Sequence, residues 1–274
     1  MSAPPNNTGN SEDTPTVTGT QTLMRGLKIL ELVASGADDI KTISRTLDMP
    51  RSTTHRMLAS LVREGYLHSI PYHGYSLGYK LIYLGSLARE QRPLLALAQP
   101  YLEELAEFTG DTVHLGMREG AEVLYLSKVS GGKGLEMRSR IGQRMPLAST
   151  GIGRALMFGL PEEEWHVYYD EAVAMCGNFP ERPKLPLWPQ YCEALQNYKA
   201  QGWVMDLEEN EVGIRCVGAP ILDVNNEVIA ALSVASVIFY MPQERMLELG
   251  PKVRETAERI SKALGANNNN PEFR

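Results

Sequence analysis

This chain has none of the residue patterns around which several protein classes are built. Its three cysteines, Cys176, Cys192 and Cys216, are an odd number without metal-like spacing, and no C-x-x-C occurs. Neither a disulfide framework nor a structural zinc site is supported. No apolar run approaches the roughly 20 residues needed to span a bilayer, and the N-terminus carries no signal-peptide core. No membrane contact and a cytoplasmic location are therefore expected. P-loop and H-E-x-x-H patterns are missing, and Gly151-Ile152-Gly153 lacks the third glycine of a dinucleotide fingerprint. The acids within Glu208–Glu211 have no histidine that spacing would place beside them. Enzymatic chemistry, and with it any cofactor or metal, is not expected, and nothing repeats internally.

What the chain does have is length: 274 residues suffice for two domains, and the hydrophobic content of 43% is ordinary for a globular protein. The formal net charge of -6 does not suggest a nucleic-acid binder, but charge is unevenly spread. Gln21 to Glu90 carries nine Lys/Arg against six Asp/Glu, a local +3, while Gln91 to the end carries 18 against 25, a local -7. A mildly basic front ahead of an acidic remainder suits a DNA-binding head on a domain with another task.

Asp38 to Tyr75 organises the rest. Two short amphipathic segments, Ile40–Leu47 and Arg51–Arg63, are separated by Asp48-Met49-Pro50. Proline, with no N–H and a helical φ, stops the first helix and suits the first turn of the second. At about 100° per residue, Thr54, Met57, Leu58, Leu61 and Val62 share one side of the second helix. Ser52, Arg56, Ala59, Ser60 and Arg63 share the other, with no carboxylate before Glu64. Such a face fits the DNA major groove, where Arg reads guanine and hydroxyls hold phosphate or base edges. Arg51, Ser52, Thr53, His55 and Arg56 would reach deepest. The alternative is an ordinary amphipathic helix with a solvated basic face. The residues after this helix favour DNA: Gly65–Ile70 has strand character, Pro71-Tyr72-His73-Gly74 is turn chemistry, and Tyr75–Leu77 pairs back. This is a winged helix-turn-helix whose tip, Tyr72 and His73, would lie on sugar-phosphate backbone or in the minor groove.

Ahead of it, residues 1–20 are polar and expected to be a disordered arm. Gln21–Ala34 is the first helix of the head, with Leu23, Leu27, Leu30 and Val33 on one face. After the head (21–78), residues 79–92 form a linker helix whose apolar excess suits either a dimer contact or packing on its own head. Residues 93–265 make a second domain. Leu94–Thr109 is helical. Thr112–Arg118, Glu122–Val129 and Leu135–Arg138 alternate as antiparallel strands, and Ser149–Gly159, Glu162–Asp170 and Leu187–Gln201 are helices. Trp203–Asp206, Gly213–Asp223 and Val228–Ser236 are strands with Asn225-Asn226 as a hairpin turn. Pro242–Leu264 is a closing helix, and residues 266–274 a disordered tail. The expected class is α+β: an N-terminal winged helix-turn-helix, a linker helix, and a GAF- or PAS-like effector-binding domain.

The segment PRSTTHRMLASLVREGYL resembles the recognition helix of the IclR family of bacterial transcriptional regulators. SRIGQRMPLASTGIGRALM (Ser139–Met157) and DLEENEVGIRCVGAPILDVNNEVIAALSVA (Asp206–Ala235) resemble its second domain. The similarity runs from about residue 21 to 265 in the family's order, and within the family looks closest to regulators of sugar-acid catabolism. It implies a homodimer or dimer of dimers on an operator in double-stranded DNA, and a small carboxylate metabolite in the second domain. Carried over residue by residue, the effector pocket would fall on Thr150, Gly151, Ile152 and Gly153 at a helix start, with Asp206, Cys216, Ser233 and, on the apolar wall, Met137. Where related proteins carry a second serine two residues after Ser233, this chain has Ala235, with Ser236 expected to face away.

The residues themselves leave alternatives open. Helix N-termini attract carboxylates and glycines let an anion approach, but glycines also let a helix pack closely on a sheet. Asp206 could hold ligand hydroxyls, Cys216 is as well explained as a buried thiol, and His114 as a core histidine. Arg138, Arg140 and Arg144 are read as surface or interface residues. The function expected is a one-component regulator, a repressor, whose DNA affinity a small sugar acid or keto acid shifts. The alternatives are an activator of the same architecture, or a metabolic enzyme with a dimerising head.

Overall fold

The computed structural model describes residues 20–91, 93–134, 137–177 and 184–266. All but the innermost residue of the expected arm and of the expected tail lie outside the described residues. The chain divides into two compact units, Met1–Gln91 and Arg92–Arg274.

In the first unit, helices α1 (Gln21–Ala34), α2 (Ile40–Thr46) and α3 (Arg51–Arg63) precede strands β1 (Leu67–Ile70) and β2 (Gly74–Leu77), and α4 (Tyr79–Glu90) follows. Asp39 starts α2: its carboxylate accepts the N–H groups of Lys41 at 2.8 Å and Thr42 at 3.0 Å. Between α2 and α3, Asp48 adopts a positive φ of 48° and Pro50 is extended, one residue ahead of the helix. Ile29, Val33, Ile43, Met49, Leu58 and Leu67 form the core. The expected α1 face is corrected here. Ile29 takes the central place, while Leu23 and Leu27 stay 63% and 47% exposed, because the small core reaches only the C-terminal half of α1. The wing is a two-stranded antiparallel ladder with Leu67 opposite Leu77 and Ile70 opposite Gly74. Gly74 is required: its φ is +84° and a Cβ would lie 2.2 Å from the Asp38 carbonyl.

The second unit opens with α5 (Pro93–Thr109), β3 (Thr112–Glu119), β4 (Glu122–Val129), β5 (Arg144–Pro146) and α6 (Gly151–Met157). A 3₁₀ turn at Glu162–Glu164 leads into α7 (Trp165–Gly177), so the helix expected over Glu162–Asp170 starts later and runs further. Then come α8 (Trp188–Gln201), β6 (Val204–Leu207), β7 (Ile214–Leu222), β8 (Val228–Val237) and α9 (Gln243–Ala263). Six strands form one antiparallel sheet in the order β5-β4-β3-β8-β7-β6. Of the strand expected at Leu135–Arg138, residues 135 and 136 lie outside the described residues, Met137 and Arg138 are irregular, and Arg144–Pro146 takes the edge beside β4. The Asn225-Asn226 turn forms as expected, with Asp223 Oδ1 accepting from the N–H of Asn225 and of Glu227.

Alternation along the strands divides the core. Val113, Leu115, Val217 and Val234 face Leu102, Val253 and Ile260 of α5 and α9. Val123 and Ala231 face the other way, against Ile152 and Ala155 of α6, with Trp165 and Tyr191 of α7 and α8 behind. His114, Cys216 and Ser233 share the α6 side, where the layer leaves a gap.

Candidate functional site

In α3, Thr54 and Leu58 are wholly buried, and Met57, Leu61 and Val62 are half-buried. Arg51, Ser52, His55, Arg56, Ala59, Ser60 and Arg63 are exposed and Thr53 half-exposed, so one face carries guanidinium groups, hydroxyls and an imidazole. Among the described residues no ion pair holds Arg51 or Arg56, and Arg63 meets only Glu64, at 3.3 Å. At the wing tip Tyr72, with φ +65°, is fully solvent-exposed and His73 is exposed beside it. Gly74–Gly78 spells G-x-S-x-G, the pattern of a hydrolase nucleophile elbow. Ser76, however, lies within the wing ladder opposite His68, and its φ is not positive.

The second candidate site is a cavity of about 40 Å³ between α6, the sheet and the β6–β7 connection. Thr150, Gly151, Ile152, Asp206, Cys216, Ser233 and Met137 all line it; Gly153 does not. The Thr150 side chain caps α6 by accepting the Gly153 N–H at 2.9 Å. A Cβ on Gly153 would lie 1.8 Å from the Leu147 carbonyl, and one on Gly151 3.1 Å from Cys216 Cβ. The packing reason for these glycines therefore applies to both.

Asp206 is buried, with Oδ1 accepting the Glu209 N–H at 2.8 Å. Burial, and then the neighbouring Glu209 carboxylate, push its carboxyl well above the ordinary range, with Arg154 opposing. Against its own burial, Glu209 is held below its usual value by the Arg154 guanidinium, 3.1 Å away. Arg154 is itself buried, donating to the Ala148 and Met205 carbonyls and lying over the Tyr191 ring. It anchors this wall from behind. Burial pushes the Cys216 thiol up, and Asp206 beside it adds to the shift.

Several lining residues were given other roles by sequence reasoning. His114 is on the cavity and not only in the core: it pairs across the sheet with Ser233, and its Nε2 is 2.7 Å from Ser139 Oγ. Burial, then the Lys128 charge, lower its pKa to about 3, so the ring is neutral. Lys128 reaches the Met137 and Ser139 carbonyls, tying that segment to β4. Arg138 lines the cavity while remaining exposed, whereas Arg140 is exposed and Arg144 pairs with Glu119 at 2.6 Å. Tyr125, Asn210, Glu211 and Ile214 were not expected there at all. The alternation of β3 puts His114 opposite in facing to Val113 and Leu115, the one signal that could have found it. Ala235 lines the cavity and Ser236 faces away, donating to Asp111 at 2.7 Å.

A winged helix-turn-helix with a basic exposed face, on one chain with a sheet domain that holds a cavity, is the architecture of a DNA-binding transcriptional regulator. Known proteins agree. The family model for the IclR helix-turn-helix domain matches residues 22–71, and that for the bacterial transcriptional regulator IclR C-terminal domain matches residues 87–262. The HTH-type transcriptional regulator XynR of Escherichia coli K12 is 32% identical over 251 residues, covering 89% of this chain and 97% of that protein. The HTH-type transcriptional repressor AllR of Salmonella paratyphi A is 31% identical over 254 residues, covering 90% and 91%. The crystal structure of Thermotoga maritima IclR matches with a TM-score of 0.74 at 29% identity, covering 90% of this chain and 99% of that one. The chain belongs to the IclR family of bacterial transcriptional regulators and is not an enzyme. Among the described residues no cluster of side chains could hold a metal, and no helix is long and apolar enough to cross a membrane.

Proposed function

We propose that this regulator is a cytoplasmic repressor that reads its operator through α3 and releases it when a small carboxylate, a sugar acid or keto acid, occupies the cavity. The observation that carries the DNA reading is the two-sidedness of α3: Thr54 and Leu58 fully buried, Ser52, Arg56, Ser60 and Arg63 turned out. In this reading Arg51, Ser52, Thr53, His55 and Arg56 enter the major groove, Ser60 and Arg63 flank it, and Tyr72 and His73 touch backbone beside it. For the cavity, the donors of Thr150, Ser139, Ser233 and Arg138 suit a carboxylate. Burial pushes the Asp206 carboxyl up and keeps the His114 ring uncharged, which lessens repulsion of an acid. By volume the cavity takes a molecule of about three waters' size, a few heavy atoms.

The regulator acts as a homodimer or a dimer of dimers. Exposed Leu23 and Leu27 on α1, and Tyr79, Ile82 and Tyr83 on α4, supply apolar surface for a second copy. Effector binding then favours one arrangement of the two heads, and helices that must fit two half-sites lose affinity when their spacing changes. Operator affinity of the full chain, measured by fluorescence anisotropy with and without glyoxylate, pyruvate and small sugar acids, tests this. An acid that binds yet leaves DNA affinity unaltered sinks the coupling; tighter operator binding with the acid makes the protein an activator or co-repressed regulator.

A further inference from the structure

Among the described residues that line the cavity, Asn210 alone carries a buried, unpaired side-chain polar atom. Its side-chain Oδ1 is buried and has no hydrogen-bond partner, an arrangement that calls for an explanation. The segment carrying it is fixed. Glu208 accepts the Gly213 N–H at 3.0 Å and pairs with Arg215 at 3.2 Å. Glu209 accepts the Leu207 N–H and holds Arg154, and Asp206 takes the Glu209 N–H. Backbone N–H groups and two arginines thus satisfy the neighbouring acids, whereas the Asn210 oxygen has no partner in a residue that lines the cavity. Glu211 lines the same cavity from its exposed side, a second acceptor beside the first. The hydroxyls of Thr150, Ser139 and Ser233 and the Arg138 guanidinium are donors in that cavity. A plain acid would satisfy those donors and leave Asn210 unpaired.

We propose that Asn210 is a specificity-determining residue: its amide oxygen accepts a hydrogen bond from the effector, so the cavity selects small acids that carry a hydroxyl or N–H over acids of equal size that do not. This rests on the reading that the cavity binds a small acid. Sites built around a polar partner reject the analogue lacking it, because the buried group is then left unpaired.

The test is titration calorimetry of the full chain with two matched pairs, glycolate against propionate and lactate against isobutyrate. The hydroxy acid of each pair is expected to bind roughly tenfold more tightly or better. Asn210→Ala, with folding checked by circular dichroism, should erase that ratio by weakening the hydroxy acid alone. Asn210→Asp keeps an acceptor and should retain the ratio, even if both acids weaken. Equal affinities within each pair in the unaltered protein overturn the proposal while leaving acid binding intact. A ratio unchanged in Asn210→Ala, or lost in folded Asn210→Asp, overturns the role of the Asn210 oxygen. Absence of binding by all four acids overturns the acid-binding reading itself.

Discussion

Helix α3 turns one face to solvent, whereas every residue of α6 is buried. Both are short and both start a candidate site, yet they contribute in opposite ways. In α3 the side chains that matter project outward and the helix needs only Thr54 and Leu58 as anchors. In α6 the glycines and the Thr150 cap let the helix sit against the sheet, and the cavity is what remains between them. A surface that meets DNA tolerates change where nothing packs; a cavity wall that is also core does not.

Substitutions in the two helices test that contrast. The largest effect is expected at Arg154, in α6. Arg154→Ala strands the Glu209 carboxylate in a buried setting and should cost about 3–5 kcal/mol, read by chemical denaturation. Gly153→Ala, which drives a Cβ onto the Leu147 carbonyl, should cost about 1–3 kcal/mol or more in the same assay. If either leaves stability unchanged, α6 is not the packed element described. Arg56→Ala should leave stability alone and weaken operator binding by about 1–3 kcal/mol if it reads a base; equal losses on operator and random DNA would make it a phosphate contact.

His114 supplies a pH signature of the cavity. Its folded pKa is about 3 against 6.5 unfolded, so the unfolded chain takes up a proton first as pH falls through that window. Stability should drop from pH 6.5 downward, by about 1 kcal/mol at pH 5.5 from this group. Comparing denaturation curves of the protein and His114→Gln across that range would isolate it; parallel curves would refute a neutral buried imidazole. The smallest effect belongs to α3 again. Ala59→Gln on its exposed face should change stability by no more than about 0.5 kcal/mol.

Much of the fold could be read before any coordinates. The two faces of α3 follow from its period, and the wing from Pro71 to Gly74 between two short strands. Most sheet strands of the second unit followed from alternation. The failures have identifiable causes. Met137 and Arg138 sit in a stretch that alternates like a strand, but Arg144–Pro146 pairs with β4, and pairing, not pattern, makes a strand. Leu23 and Leu27 lie on a regular apolar face that the small core does not reach. The acidic run after Asp206 looks like a solvated loop, and only the Glu209–Arg154 pair shows why it bends back to bring Asn210 onto the cavity.

By itself, the sequence determined the elements whose signals are local: helix period, strand alternation, the helix start at Thr150, and the turns at Tyr72 and Asn226. These depend on residues within a few positions of each other, where steric and hydrogen-bonding preferences act directly. Only the tertiary structure decided that His114 faces Ser233, that Arg154 reaches Glu209, and that Gly153 serves packing and not the cavity. Those outcomes depend on strand register and on the approach of segments far apart in the chain, which no local preference encodes.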